Sequence, residues 1–153
     1  RRNRCKDAIY YREATASNNN DICQKISESS SLRMQCINET TFAKIRASST
    51  GVLDIKVCDI LSDDESRNRC ADQVNAKNSY DSFLVAQSSN SIDACSKISD
   101  VTLKSSCINQ LAMDQAMKNK DISLCNQIKD ENTRSTCQKE LGNILDEQAY
   151  RQA

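Results

Sequence analysis

Residues 95–107 read CSKISDVTLKSSC, and this arrangement of two cysteines, an apolar residue, an acid and a base occurs four times in the 153-residue chain. The first cysteines recur after 35, 37 and 30 residues, a period that is typical of two-helix solenoid repeats. Cys5 is left over, because it occupies the position of a second cysteine without a first. The paired cysteines are twelve or thirteen residues apart and are Cys23 and Cys36, Cys58 and Cys70, Cys95 and Cys107, and Cys125 and Cys137.

Apolar and charged residues keep a fixed distance from these cysteines. Three positions after each first cysteine lies Ile26, Leu61, Ile98 or Ile128. Four positions after each second cysteine lies Ile9, Thr40, Val74, Leu111 or Leu141. Spacings of three and four residues place such side chains on one face of a helix. The block therefore predicts a short helix, a tight polar turn and a longer helix.

An acid follows five residues after each first cysteine, and a base stands three residues before each second cysteine. We expect the acid to accept backbone N–H groups at the start of the longer helix, where the helix dipole favours negative charge. We expect the base to form an ion pair with the acid. The acids are Glu28, Asp63, Asp100 and Asp130, and the bases are Arg33, Arg67, Lys104 and Arg134.

Antiparallel packing in such a hairpin brings the two cysteines face to face, so we predict a disulfide within each of the four pairs. Closing a loop of this length contributes about 3 kcal/mol in the chain-entropy treatment of disulfides. A zinc or iron–sulfur site usually draws on closely spaced ligands, whereas the chain has no Cys-x-x-C pair and no histidine. We therefore predict no metal and no cofactor.

Composition supports a helical, disulfide-dependent fold. Only 38% of the residues are apolar and 4% are aromatic, so the core is sparse and disulfides must help to stabilise it. Nine cysteines in such a chain indicate an oxidising compartment, which predicts an extracellular or cell-surface protein. The absence of proline, with only two glycines, favours helices over tight hairpin turns.

The predicted fold is all-α, a short right-handed solenoid of disulfide-stapled helix hairpins. We expect a single helical-repeat domain over residues 1–153, with turns between repeats rather than domain boundaries. A half repeat covers residues 1–16. The complete repeats cover about 19–49, 52–88, 91–118 and 121–153.

Several function classes are disfavoured by the sequence. Since 21 basic and 21 acidic residues cancel, no global field attracts nucleic acid, and no apolar run approaches membrane-spanning length. Without histidine, the Ser-His and Cys-His nucleophile arrangements are excluded. Gly51 and Gly142 are the only glycines, so there is no glycine-rich phosphate loop. We expect no enzymatic activity.

The first residues form the clearest charge asymmetry, through the cluster Arg1, Arg2, Arg4 and Lys6. This cluster is either an interface for an anionic surface or an acidic partner, or a solvated end of the chain. The neighbouring Tyr10 and Tyr11 either anchor an interface or cap the first repeat. The opening Arg1-Arg2-Asn3-Arg4-Cys5 is typical of a processed or excerpted chain.

A possible modification site lies within the first complete hairpin. Asn38-Glu39-Thr40 matches the N-glycosylation sequon, which makes Asn38 a candidate for a glycan in an extracellular protein. The motif falls on the longer helix of that hairpin. Sequons are short and frequent, so an unmodified Asn38 is the alternative.

The block Asp21-Ile22-Cys23-Gln24-Lys25-Ile26, followed by Arg33 and Cys36, resembles the Cys-paired helical-hairpin repeats of exported archaeal and small-genome bacterial proteins. In geometry it is also similar to tetratricopeptide and Sel1-type repeats. The resemblance covers roughly residues 2–147. It implies a surface scaffold and carries over no catalytic residues.

Two functions remain open from the sequence. The first is an extracellular structural protein, a subunit of a cell-surface filament or layer, in which stacked repeats join copies and Cys5 forms an intermolecular link. The second is a monomeric secreted module that binds another surface protein through the solenoid, with the partner of Cys5 upstream in its own chain. The expected partner is accordingly another copy or another surface protein.

Overall fold

A computed structural model of the chain describes residues 2–48 and 51–152. Within these residues it contains helices and connecting turns and no strand, which confirms the predicted all-α class. The α-helices are α1 Arg2–Ser17, α2 Asn20–Cys23, α3 Ser31–Ala47, α4 Asp64–Ser88, α5 Val101–Asn119 and α6 Glu131–Gln152. Short 3₁₀ helices are η1 Ile55–Cys58, η2 Asp93–Lys97 and η3 Ile122–Gln127.

The chain forms two compact units, Arg1–Asn78 and Ser79–Ala153. Each unit contains hairpins in which a short helix precedes a long one, as the sequence predicts. The core of the first unit centres on Ile26, Leu61 and Val74 with the hairpin cysteines. The second unit has two apolar clusters, centred on Ile98 and Ile128. Small cores of this kind match the sparse apolar content.

Disulfides lie at the centre of the four hairpins. The structure pairs the cysteines as the spacing predicts, with S–S distances between 1.97 and 2.09 Å and Cα–Cα distances of 5.7 to 5.9 Å. All eight cysteines are at most 3% exposed, and the isoleucine or leucine three residues after each first cysteine is at most 1% exposed. Each staple therefore lies in the apolar interior of its hairpin. The disulfides are Cys23–Cys36, Cys58–Cys70, Cys95–Cys107 and Cys125–Cys137.

The second hairpin shows where the short helix differs from the expected form. Cys58 is the last residue of η1, and Cys70 lies fully buried in the second turn of α4, with 5.7 Å between the two Cα atoms. The segment before the turn is a 3₁₀ helix here and in the two hairpins that follow, whereas in the first hairpin it is the α-helix α2. Segments of four to six residues suit the tighter 3₁₀ helix, which is used in short pieces. The disulfide from Cys70 thus joins an α-helix to a 3₁₀ turn.

The turn acids cap the long helices in three hairpins. In each case the carboxylate accepts the backbone N–H three residues later, at 2.7 or 2.8 Å, which satisfies a donor that the first helical turn leaves free. In the first hairpin Ser30 takes this place, and its hydroxyl accepts the N–H of Leu32 at 3.3 Å. The capping acids are Asp63, Asp100 and Asp130.

The bases behave differently from the prediction in three hairpins. Arg33 forms the expected ion pair with Glu28, at 3.4 Å. The other bases donate to backbone carbonyls of the short helix or the turn, at distances of 2.8 to 3.3 Å. Short 3₁₀ turns leave such carbonyls without an intrahelical partner, and the acids are already occupied as caps. The donor and acceptor residues are Arg67 to Leu61, Lys104 to Ser96 and Arg134 to Ile128.

Helix α1 packs on the next hairpin as the second helix of a complete repeat does. The Asp7 carboxylate accepts the backbone N–H of Ser27 at 3.1 Å, and the equivalent Asn109 accepts the N–H of Lys129 at 3.0 Å. Both acceptors stand two residues after a second cysteine. Residues 2–17 thus have the position of a half repeat.

The ends of α1, α4 and α5 share one motif. A residue with positive φ stands one or two positions after each helix, and the next backbone N–H bonds to the carbonyl of a buried alanine five residues earlier, at 3.0 or 3.1 Å. This hydrogen bond is that of a Schellman cap, which stops a helix sharply. The positive-φ residues are Asn18, Asn90 and Lys120, and the alanines are Ala14, Ala86 and Ala116.

Candidate functional site

One face of α1 is exposed to solvent, whereas the equivalent face is buried in every complete hairpin. Cys5 is exposed and its thiol is free, and Ile9 is 62% exposed. We call these two residues the open face of α1. The equivalent second cysteines, Cys36, Cys70, Cys107 and Cys137, are fully buried. The residues four positions after them are at most 4% exposed and are Thr40, Val74, Leu111 and Leu141.

The complete hairpins show what covers this face. Their short helix brings the first cysteine against the second, and the isoleucine or leucine three residues later closes the same cluster. Among the described residues, no such segment packs on Cys5 and Ile9. A face whose counterparts form hairpin interiors is thus open to solvent, at a place where an apolar side chain gains by burial.

Positive charge lies on both sides of Cys5. Arg4 and Lys6 are exposed beside Cys5. Arg1 and the side chain of Arg2 lie outside the described residues. The carboxylate of Asp7 is only 8% exposed and is hydrogen-bonded to Ser27, so it lies away from solvent. The described start of α1 therefore presents two cations beside the thiol, while the exposed Glu13 lies one helical turn after Ile9 on the same face.

The opposite side of α1 is held on the first hairpin. Ala14 is fully buried in the core of the unit, and Asp7 accepts both the backbone N–H and the hydroxyl of Ser27 at 3.1 Å. An acceptor that receives two hydrogen bonds fixes both the depth and the register of the helix. The open face is consequently presented by a helix that is already anchored.

Tyr10 and Tyr11 contribute to this anchoring. The hydroxyl of Tyr11 donates to the Glu39 carboxylate at 2.6 Å, and Gln35 donates to the same carboxylate at 2.9 Å. The hydrogen bond from Tyr11 holds the pKa of Glu39 below its ordinary value and raises the pKa of Tyr11. The Lys25 ammonium lies 5.8 Å from the centre of the Tyr10 ring. Both tyrosines thus contact the first hairpin, as the capping alternative requires.

A polar cleft lies between α1 and the turn of the first hairpin. Its volume is about 610 Å³, and its lining includes Arg4, Asp7, Ser27, Ser29 and Ser30. Hydroxyl groups and a guanidinium suit contacts with peptide carbonyls or carboxylates. The cleft is a second candidate surface in the same unit.

The sequon lies on α3 with much of its motif inside the unit. The Asn38 side-chain oxygen is buried and has no hydrogen-bond partner among the described residues. Thr40 is fully buried, and its hydroxyl donates to the carbonyl of Cys36 at 2.8 Å. Asn38 also occupies the position that Asp7 and Asn109 use to accept a hydrogen bond from the next hairpin. A surface loop, the usual setting of a glycan, is not what this segment forms.

The described ranges, 2–48 and 51–152, contain neither a metal cluster nor a membrane span. No group of three or more histidine, cysteine, aspartate or glutamate side chains in them is arranged to hold a metal ion. No helix in these ranges combines the length and the apolar character that crossing a membrane requires. The eight hairpin cysteines are instead occupied in disulfides.

Sequence reasoning selected Cys5 but missed Ile9 as part of the site. The signal was present, because Ile9 stands four residues after Cys5, where other repeats have core residues. It also missed the acceptor two residues after the second cysteine, which is Asp7 in α1 and Asn109 in α5, while Asn38 and Asp72 hold the same position in the repeats between them. The available indication was that this position holds a short polar side chain in several repeats, between positions that hold apolar ones.

Comparison with known protein families, with curated proteins and with solved structures finds no match to this chain. The repeats themselves provide an internal comparison, since one position can be followed through five second helices. In that comparison α1 is the exception, because its cysteine and its apolar residue remain exposed.

Proposed function

We propose that the chain is an extracellular structural protein, a subunit of a cell-surface filament or layer that assembles by stacking of helical repeats. The observation that carries the proposal is the open face of α1, where Cys5 and the 62%-exposed Ile9 occupy positions that are buried in every hairpin. An exposed apolar side chain beside a free thiol favours association with a surface that buries it. The proposal assigns the protein no catalytic role.

The disulfides support an extracellular location. Four buried disulfides in a chain with a sparse core stabilise the fold only where thiols are oxidised. The short helix, turn and long helix of each hairpin also fit the resemblance to exported Cys-paired helical-hairpin proteins, and we propose that the chain is related to them and that its hairpins continue as a right-handed solenoid.

Charge supports contact between α1 of one copy and α6 of another. Helix α1 carries the exposed Arg4 and Lys6, whereas α6 carries Glu140 and Asp146, and its Glu147 is paired with Arg151. Contacts between two different surfaces of identical subunits produce open assemblies when the rotation does not close. The partner at the open face is another copy or another surface protein, and Cys5 forms the covalent link.

The test uses native material under non-reducing conditions. Peptide mass spectrometry should place Cys5 in a disulfide with another chain, and negative-stain imaging should show filaments or a layer. Recombinant Ile9→Asp protein should lose self-association or partner binding in sedimentation velocity. The matched control is Val101→Asp, since Val101 is also apolar and is 77% exposed. Monomeric native protein with a free Cys5 thiol would rule the proposal out.

The second candidate is a monomeric secreted module that binds another surface protein. The polar cleft of about 610 Å³ favours it, because Arg4 and the serines offer hydrogen bonds to a peptide. Under this alternative, Arg4→Glu should abolish partner binding while Ile9→Asp leaves it intact. The two variants therefore separate the two functions within one binding assay.

A further inference from the structure

We draw no further inference here: the strongest candidate, the exposed apolar patch that Tyr80, Leu84 and Val85 form in the second half of α4, carries nothing because no feature of the described residues shows what covers it.

Discussion

The first and the last long helix carry the same pattern in opposite surroundings. In α6, Cys137 and Leu141 stand four residues apart and are fully buried. In α1, Cys5 and Ile9 have the same spacing, yet the thiol is free and Ile9 is 62% exposed. The pattern within a helix therefore selects the face that can enter a core. Whether that face is buried depends on the segment that precedes the helix in a hairpin.

The comparison also shows how little of a repeat is needed to fix a helix in place. Helix α1 lacks a first half among the described residues, but Ala14 is fully buried and Asp7 bonds to Ser27. One small residue allows close approach, and one buried acceptor sets the register. An exposed repeat end can therefore be rigid, which lowers the entropy cost of binding there.

Removal of a hairpin disulfide should give the largest difference between the two regions. The double variant Cys95→Ser, Cys107→Ser should lower the free energy of unfolding by about 3 kcal/mol, because the unfolded chain regains its loop entropy. Cys5→Ser should change it by less than about 0.5 kcal/mol, as expected for an exposed side chain. Denaturant titration of the two variants beside the wild type measures both. A comparable loss for Cys5→Ser would mean that its surroundings are closed.

Truncation of the residue four positions after the cysteine tests the same contrast in the apolar face. Leu141→Ala should lower the free energy of unfolding by about 2.5 kcal/mol, since it leaves a cavity at a fully buried site. Ile9→Ala should cost less than about 0.5 kcal/mol because the side chain is largely exposed. The measurement is again denaturant unfolding. Similar losses at the two sites would contradict the exposure of the open face.

One buried carboxylate, that of Asp7, contributes to the anchoring of α1. Asp7→Ala should cost about 1.5 kcal/mol, since a hydrogen bond to a charged group is lost and the N–H of Ser27 is left without its partner. Hydrogen exchange should accelerate along α1 and remain unchanged in α5. The control is Glu13→Ala, an exposed acid on the same helix. If both variants exchange alike, Asp7 does not hold the helix.

Lowering the pH should produce the smallest change in stability. This change should arise in the turns of the complete hairpins. A hydrogen bond from the Ser66 backbone holds the pKa of Asp63 below its usual 3.8, and one from the Thr133 hydroxyl does the same for Asp130. A pKa that is lower in the folded state gives stability that is present above about pH 4 and is lost as pH falls through the folded value. Helix α1 has no acid in its first turn.

Thermal unfolding at pH 7 and pH 3 measures this effect. The wild-type midpoint should fall at pH 3, and Asp130→Asn should show a smaller fall because its cap does not titrate. Asp146→Asn, which changes an exposed acid beyond the cap region, serves as the control and should follow the wild type. A variant with Asp130→Asn that loses as much stability as the wild type would show that the cap charge is not involved.

Much of the fold followed from spacing alone. Cysteines twelve or thirteen residues apart, with an apolar residue three positions after the first, predicted the hairpins and disulfides such as Cys58–Cys70. The capping of α5 by Asp100 was predicted as well, because the position of a short acid before a helix has a direct consequence for backbone N–H groups. The hydrogen-bond partners of Arg67 and Arg134 were not predicted, since a flexible cationic side chain can reach several acceptors.

The candidate site was only half predictable. Cys5 was selected because an unpaired cysteine can be counted in the sequence. Ile9 was not selected, because by its pattern it is a core residue like Leu111. Its exposure is a property of what packs against it, which the residues of α1 do not encode.

The sequence by itself determined the helical class, the pairing of eight cysteines and the starts of α4, α5 and α6, because each depends on short-range spacing along the chain, whereas α3 is capped by Ser30 and not by the expected Glu28. The tertiary structure decided which of five equivalent faces is open, that Asp7 and Asn109 join consecutive elements, and that the sequon threonine is buried. Those features depend on which segments pack against each other within a unit. The burial of a residue is therefore set by its packing neighbours and not by its own identity.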